Sequence, residues 1–107
     1  MALIICTSSF IAYSQACVTT GNVDYQIFRS DQSKNIVIRF LNKNPYMVTV
    51  KYKLYEQKNE QRIFKTSGTK VVDSKGDNSS RQAEVYTGLK YDLNAHYILE
   101  YDVQKCN

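Results

Sequence analysis

The 107-residue sequence is poor in the residues that usually announce a function. It has no tryptophan, one proline, four glycines and a single histidine. There is no low-complexity tract, and a composition of 43% apolar and 22% charged residues excludes a disordered chain. No segment sustains a 3.6-residue period, which argues against a helical body. No internal repeat is visible, and the length leaves room for one domain. The balance of 14 basic against 10 acidic residues gives a formal net charge of +4. So small an excess favours solubility and weak attraction to anionic surfaces, not the concentrated stripe of a dedicated nucleic-acid binder.

What is present first is an uncharged beginning. "MALIICTSSFIAYSQA" holds no charged residue, with apolar stretches at Ala2 to Cys6 and Phe10 to Tyr13. It ends on Ser14-Gln15-Ala16, with small residues at the two positions a signal peptidase reads, so residues 1–16 are expected to be a secretory signal peptide and 17–107 the domain. A basic n-region is missing, and the apolar run is shorter than the roughly 20 residues of a membrane span. An uncleaved anchor and a buried first strand are the two competing readings.

Cysteine arithmetic follows from the cleavage. Cys6 leaves with the leader, and Cys17 and Cys106 then have one possible pairing in an oxidising compartment. A bridge closing nearly the whole domain is worth about 4–5 kcal/mol in the chain-entropy picture. Lipidation of Cys17 competes, although Ser14 and Gln15 depart from the usual acylation signal. With one histidine these two cysteines fall short of the four ligands of a structural zinc site, so neither metal nor cofactor is expected.

Beyond Cys17 the pattern is period two. Strands are expected at Val23 to Arg29, Asn35 to Leu41, Tyr46 to Glu56, Gln61 to Thr66, Lys70 to Asp73, Ala83 to Thr87 and His96 to Val103. In "YMVTVKYKLYE", Val48, Val50, Tyr52 and Leu54 form a core face, against Met47, Thr49, Lys51, Lys53 and Tyr55. In the last strand Tyr97, Leu99, Tyr101 and Val103 face in. Turns fall at Ser30 to Lys34, Asn42 to Pro45, Thr66 to Gly68, Asp73 to Arg81 and around Lys58-Asn59. Seven short strands spaced this way give an all-β, antiparallel β-sandwich or barrel. Around "NKNP" two arrangements stay open. Either Ile36, Ile38 and Phe40 oppose Tyr52, Val50 and Val48 in a hairpin, or the chain crosses there between sheets.

"IRFLNKNPYMVTVKYKLY" resembles the stretch of exported immunoglobulin-like and fibronectin-III-like domains in which an apolar strand ends in Asn, turns through Asn and Pro, and resumes alternating. "GLKYDLNAHYILEYDV" is similar to their later corner, where a Leu precedes a Tyr that opens a late strand. The resemblance covers about a third of the chain and implies an immunoglobulin-like sandwich with Tyr97 as the corner tyrosine, its hydroxyl bonded to nearby backbone. The fibronectin proline is replaced by Tyr91, the early-strand tryptophan is absent, and the disulfide would join the termini, not the sheets. The overall style is similar to small secreted proteins of Bacteroidota-type bacteria.

Candidate chemistry is sparse. His96 lies near Asp92, but no G-x-S-x-G motif marks a serine, and the carboxylates are scattered singly. "DSKGDN" lacks the alternating oxygen ligands of a calcium loop, and Asn78-Ser79-Ser80 fits a glycosylation sequon. Lys51, Lys53, Tyr55, Arg62 and Lys65 make a candidate contact face, where basic and aromatic residues interleave. Loop candidates are Asn42, Lys43, Asn44, Lys75, Asn78 and Arg81. Lysines on exposed strands also guard against edge aggregation, so plain solvation competes. The expected function is a non-enzymatic exported module, monomeric, secreted or periplasmic, touching a protein or cell-surface glycan. Nucleic acid is not an expected partner, and no membrane span is expected after signal removal. A small secreted hydrolase and an anionic-polymer binder are the alternatives.

Overall fold

The alternation of apolar and polar side chains is realised as two stacked antiparallel sheets. The computed structural model describes residues 16–106, so the leader expected over 1–16 lies, but for its last residue, outside the described residues, as does Cys6. The strands are β1 (Cys17–Thr19), β2 (Val23–Arg29), β3 (Asn35–Asn42), β4 (Val48–Lys58), β5 (Gln61–Val72), β6 (Arg81–Lys90) and β7 (His96–Cys106). One sheet has the order β1-β7-β4-β5 and the other β2-β3-β6. No helix among the described residues is long and apolar enough to cross a membrane.

The core forms where the two inner faces meet. Ile36, Ile38 and Phe40 from β3 pack with Val48, Val50, Tyr52 and Leu54 from β4, and with Val72, Leu99 and Val103. Phe40 and Leu54 are wholly inaccessible. β3 pairs with β2 and β6, and β4 pairs with β5 and β7, so the chain crosses between sheets at "NKNP" and the hairpin arrangement does not occur. Those apolar sets meet across the sandwich instead of side by side.

The crossing is held by two asparagines. Asn42 continues the inward face of β3, and its amide nitrogen donates to the carbonyls of Tyr46 at 3.0 Å and Asp73 at 2.9 Å. Its carbonyl accepts from the backbone N–H of Asn44 at 3.0 Å, while the Asn44 side chain donates to Gly21 O at 2.8 Å. This network joins the β3–β4 crossing to the end of β5 and the β1–β2 loop, satisfying backbone groups that no ladder reaches.

One turn expected from sequence is absent. β5 runs unbroken from Gln61 to Val72, and Thr66-Ser67-Gly68 is strand. Gly68 pairs with Tyr52, and a Cβ built there would lie 2.5 Å from the Tyr52 hydroxyl. The glycine makes room for an aromatic ring across the ladder; it does not bend the chain. The β4–β5 turn consists of Asn59 (φ 53°) and Glu60 (φ 65°), the two left-handed positions of a tight hairpin.

Cys17 and Cys106 are bonded, with 89 residues of sequence separation and Cα atoms 4.1 Å apart. They lie directly opposite each other in the β1–β7 ladder, so the bridge reinforces a strand pair as well as closing the domain.

Candidate functional site

The outer face of the larger sheet is built in cross-strand rows. Register places Asp102 beside Lys51 and Thr69, then Glu100 beside Lys53 and Ser67. These side chains line an open trough of about 480 Å³ over the backbone of Tyr52 and Gly68. Lys51 and Lys53 thus each have a carboxylate on one flank and a hydroxyl on the other. β7 sets two carboxylates beside the basic stripe legible along β4, which linear sequence could not reveal.

The next row is apolar: Ile98, Tyr55 and Phe64. Tyr55 and Phe64 meet edge to face with centroids 5.8 Å apart. The Arg62 guanidinium lies 4.1 Å from the Tyr55 ring centroid and is ion-paired with Glu100. Phe64 nevertheless keeps 54% of its surface accessible. Phe64 and Glu100, which are not among the candidates expected from sequence, complete this patch. The signal that could have found them is the parity of the paired strands once β5 is read as continuous.

Lys65 departs from this face. It is the extra residue of a bulge, since Leu54 pairs with Thr66 and Tyr55 with Phe64. Its ammonium lies 3.8 Å from Glu56, which alternation assigns to the opposite surface from Tyr55.

The loop candidates divide. Asn42 and Asn44 are 0% and 2% exposed, so the contact role expected of them gives way to the structural network described above. Lys43 lies 2.6 Å from Asp24, and Arg81 4.0 Å from Asp73. The Lys75 ammonium donates to the Gly76 and Asn78 carbonyls at 3.4 and 3.5 Å, and the Asn78 N–H donates to Lys75 O at 3.0 Å. Asn78 is on the surface, as an acceptor sequon requires.

His96 opens β7 opposite Gln57, on the exposed surface. The nearby Asp92 carboxylate accepts from Lys58 at 2.7 Å and from the Asn94 N–H at 2.9 Å. The Lys58 hydrogen bond holds the Asp92 carboxyl below the usual carboxylate range, with the Asn94 bond in support. The Tyr97 hydroxyl oxygen accepts from the nearby Asp92 backbone N–H at 2.9 Å. Burial raises the Tyr97 phenol above the ordinary tyrosine value. Among the described residues no group of three or more His, Cys, Asp or Glu is placed to hold a metal ion.

The smaller sheet also carries an ordered outer patch. Register brings Phe28, Val37 and Tyr86 into one row and Gln26, Arg39 and Glu84 into the next. Arg39 donates to Glu84 at 2.7 Å and its guanidinium lies 4.7 Å from the Phe28 ring centroid. Val37 beneath them is only 1% exposed, so this face is partly a second packed layer.

No family model, curated protein or solved structure matches the chain.

Proposed function

We infer that the chain is an exported, non-enzymatic binding module that touches a protein or a surface glycan through the outer face of β4, β5 and β7. The observation carrying this reading is the Tyr55–Phe64–Arg62 cluster, in which an exposed Phe64 meets a half-buried Tyr55 that has a guanidinium stacked on it. Aromatic residues and arginine dominate the energetics of recognition surfaces. The strand ladders hold these side chains in place, so little ordering entropy is lost on contact. The bonded Cys17–Cys106 pair supports an oxidising destination.

The anionic-polymer alternative is weaker because Lys51 and Lys53 each stand beside a carboxylate of β7. Retention on heparin is therefore expected to vanish below physiological salt; retention above it, lost in Lys51→Glu/Lys53→Glu, would reverse that ranking. The hydrolase alternative would require Asp92 to orient His96, whereas Lys58 engages that carboxylate.

The direct test places a photo-crosslinking residue at position 64, and at Val71 as an exposed control on the same strand. In the native exported fraction, position 64 should give a discrete adduct that Arg62→Ala diminishes. Equal labelling from both positions would sink the reading. Periodate treatment of the fraction separates a glycan from a protein partner.

A further inference from the structure

β7 has two long sides, and only one is fully used. Its ladder with β4 runs from His96 to Gln104, whereas β1 reaches only from Cys106 to Gln104. One further bond, from the Thr20 N–H to Val103 O at 2.9 Å, ends the cover, and the chain then leaves for β2. In an antiparallel strand alternate residues aim both main-chain groups to the same side. Because Val103 aims at β1, Tyr101, Leu99 and Tyr97 aim the same way, and among the described residues no strand meets them.

The edges at β5, β6 and β2 carry deterrents that β7 lacks. β5 sets the basic side chains of Arg62, Lys65 and Lys70 along its length. β6 is interrupted by Gly88 at φ 74° and a register shift opposite Asn35 to Val37. β2 is short and carries Asp24 and Arg29. Between Tyr97 and Tyr101 the only charged residue is Glu100, and Tyr97 and Leu99 are buried. This stretch has the composition of an interior strand.

We propose that the uncovered edge of β7 pairs antiparallel with β7 of a second copy, about a two-fold axis at Leu99. The register follows from charge and from the direction of the free groups. With Leu99 opposite itself, Tyr97 faces Tyr101 of the other copy, and these pairs exchange main-chain hydrogen bonds. His96 then faces Asp102 of the second copy, in the closer, non-bonded type of pair, and donates an imidazole N–H to its carboxylate. Ile98 faces Glu100. Moving the axis to position 100 would oppose Glu100 to itself, and like charges directly across a ladder are destabilising. Two sheets would join into one, and the two outer faces would lie side by side. That arrangement replaces the expectation of a monomer. It stands apart from the contact reading, since edge pairing leaves the Tyr55–Phe64 patch open and is read by a different measurement.

The test is sedimentation velocity of the disulfide-intact protein over a concentration series, with hydrogen exchange at each end of the series. The expected result is a monomer–dimer equilibrium, with slowed exchange at the Tyr97, Leu99 and Tyr101 amides as dimer accumulates. His96→Asp and Asp102→Lys should each weaken dimerisation roughly tenfold, and the double variant should restore most of the loss. Circular dichroism verifies that the variants fold, and the wild-type measurements stand without them. A monomer at every concentration overturns the proposal. So does a dimer in which those three amides exchange freely and both single variants associate like wild type.

Discussion

At the scale of single residues, buried polar side chains do work that composition does not announce. Asn42→Asp exchanges a donor for an acceptor facing the carbonyls of Tyr46 and Asp73. Urea denaturation should show a loss of about 2–4 kcal/mol, the cost of stranded buried polar groups. Lys43→Ala, one position on and exposed, should change stability by less than about 0.5 kcal/mol. If the two losses were equal, the network at the crossing would not be structural. Sequence flagged "NKNP" as a turn but read its asparagines as surface, because turn propensity does not distinguish a side chain facing water from one facing carbonyls. Glu84 offers a pH test. The Tyr86 hydroxyl, then the Arg39 guanidinium, hold its carboxyl below the ordinary glutamate value. Stability from this depression is present above the unfolded-state pKa and is lost as pH falls through the folded one. In an NMR pH titration Tyr86→Phe should move the Glu84 midpoint upward; an unmoved midpoint would discount the hydroxyl.

At the scale of elements, the alternation in β2, β3, β4 and β7 was legible because each strand buries one face, so a slip of one residue would expose an apolar set. β5 was not legible as one strand, since Gly68 carries the mark of a turn while serving Tyr52 across the ladder. Gly68→Ala should destabilise by about 1–3 kcal/mol through overpacking. The loss should be partly relieved in Tyr52→Phe, which removes the atom nearest the added methyl. An unrelieved loss would assign the glycine to backbone conformation instead. The β4–β5 turn makes the opposite case. Glu60 sits at φ 65°, so Glu60→Gly should raise stability by about 0.5–1 kcal/mol in thermal melts. A decrease would mean that the Glu60 side chain stabilises the turn.

At the scale of the molecule, the sandwich and its disulfide followed from alternation and cysteine counting, whereas the make-up of the outer sheet face depended on which strands become neighbours. Lys51 and Lys53 read as a basic stripe until β7 brings Glu100 and Asp102 alongside. No local pattern encodes that long-range pairing. Replacing Cys106 with Ser should lower stability by about 2–5 kcal/mol, the chain-entropy value being the upper end, or roughly 10–40 °C in Tm for a domain of this size. An unchanged melting curve would make the bridge incidental.

That covalent link also decides what a protease can do. Every exposed connection between β1 and β7, from the Asn59–Glu60 tip to the stretch around Gly76, lies inside the ring that Cys17 and Cys106 close. A single backbone scission at any of them yields a nicked chain whose two halves stay joined, separating on a gel only after reduction. Two cuts or a reductant are needed to release a fragment, a form of durability suited to surroundings rich in hydrolytic enzymes.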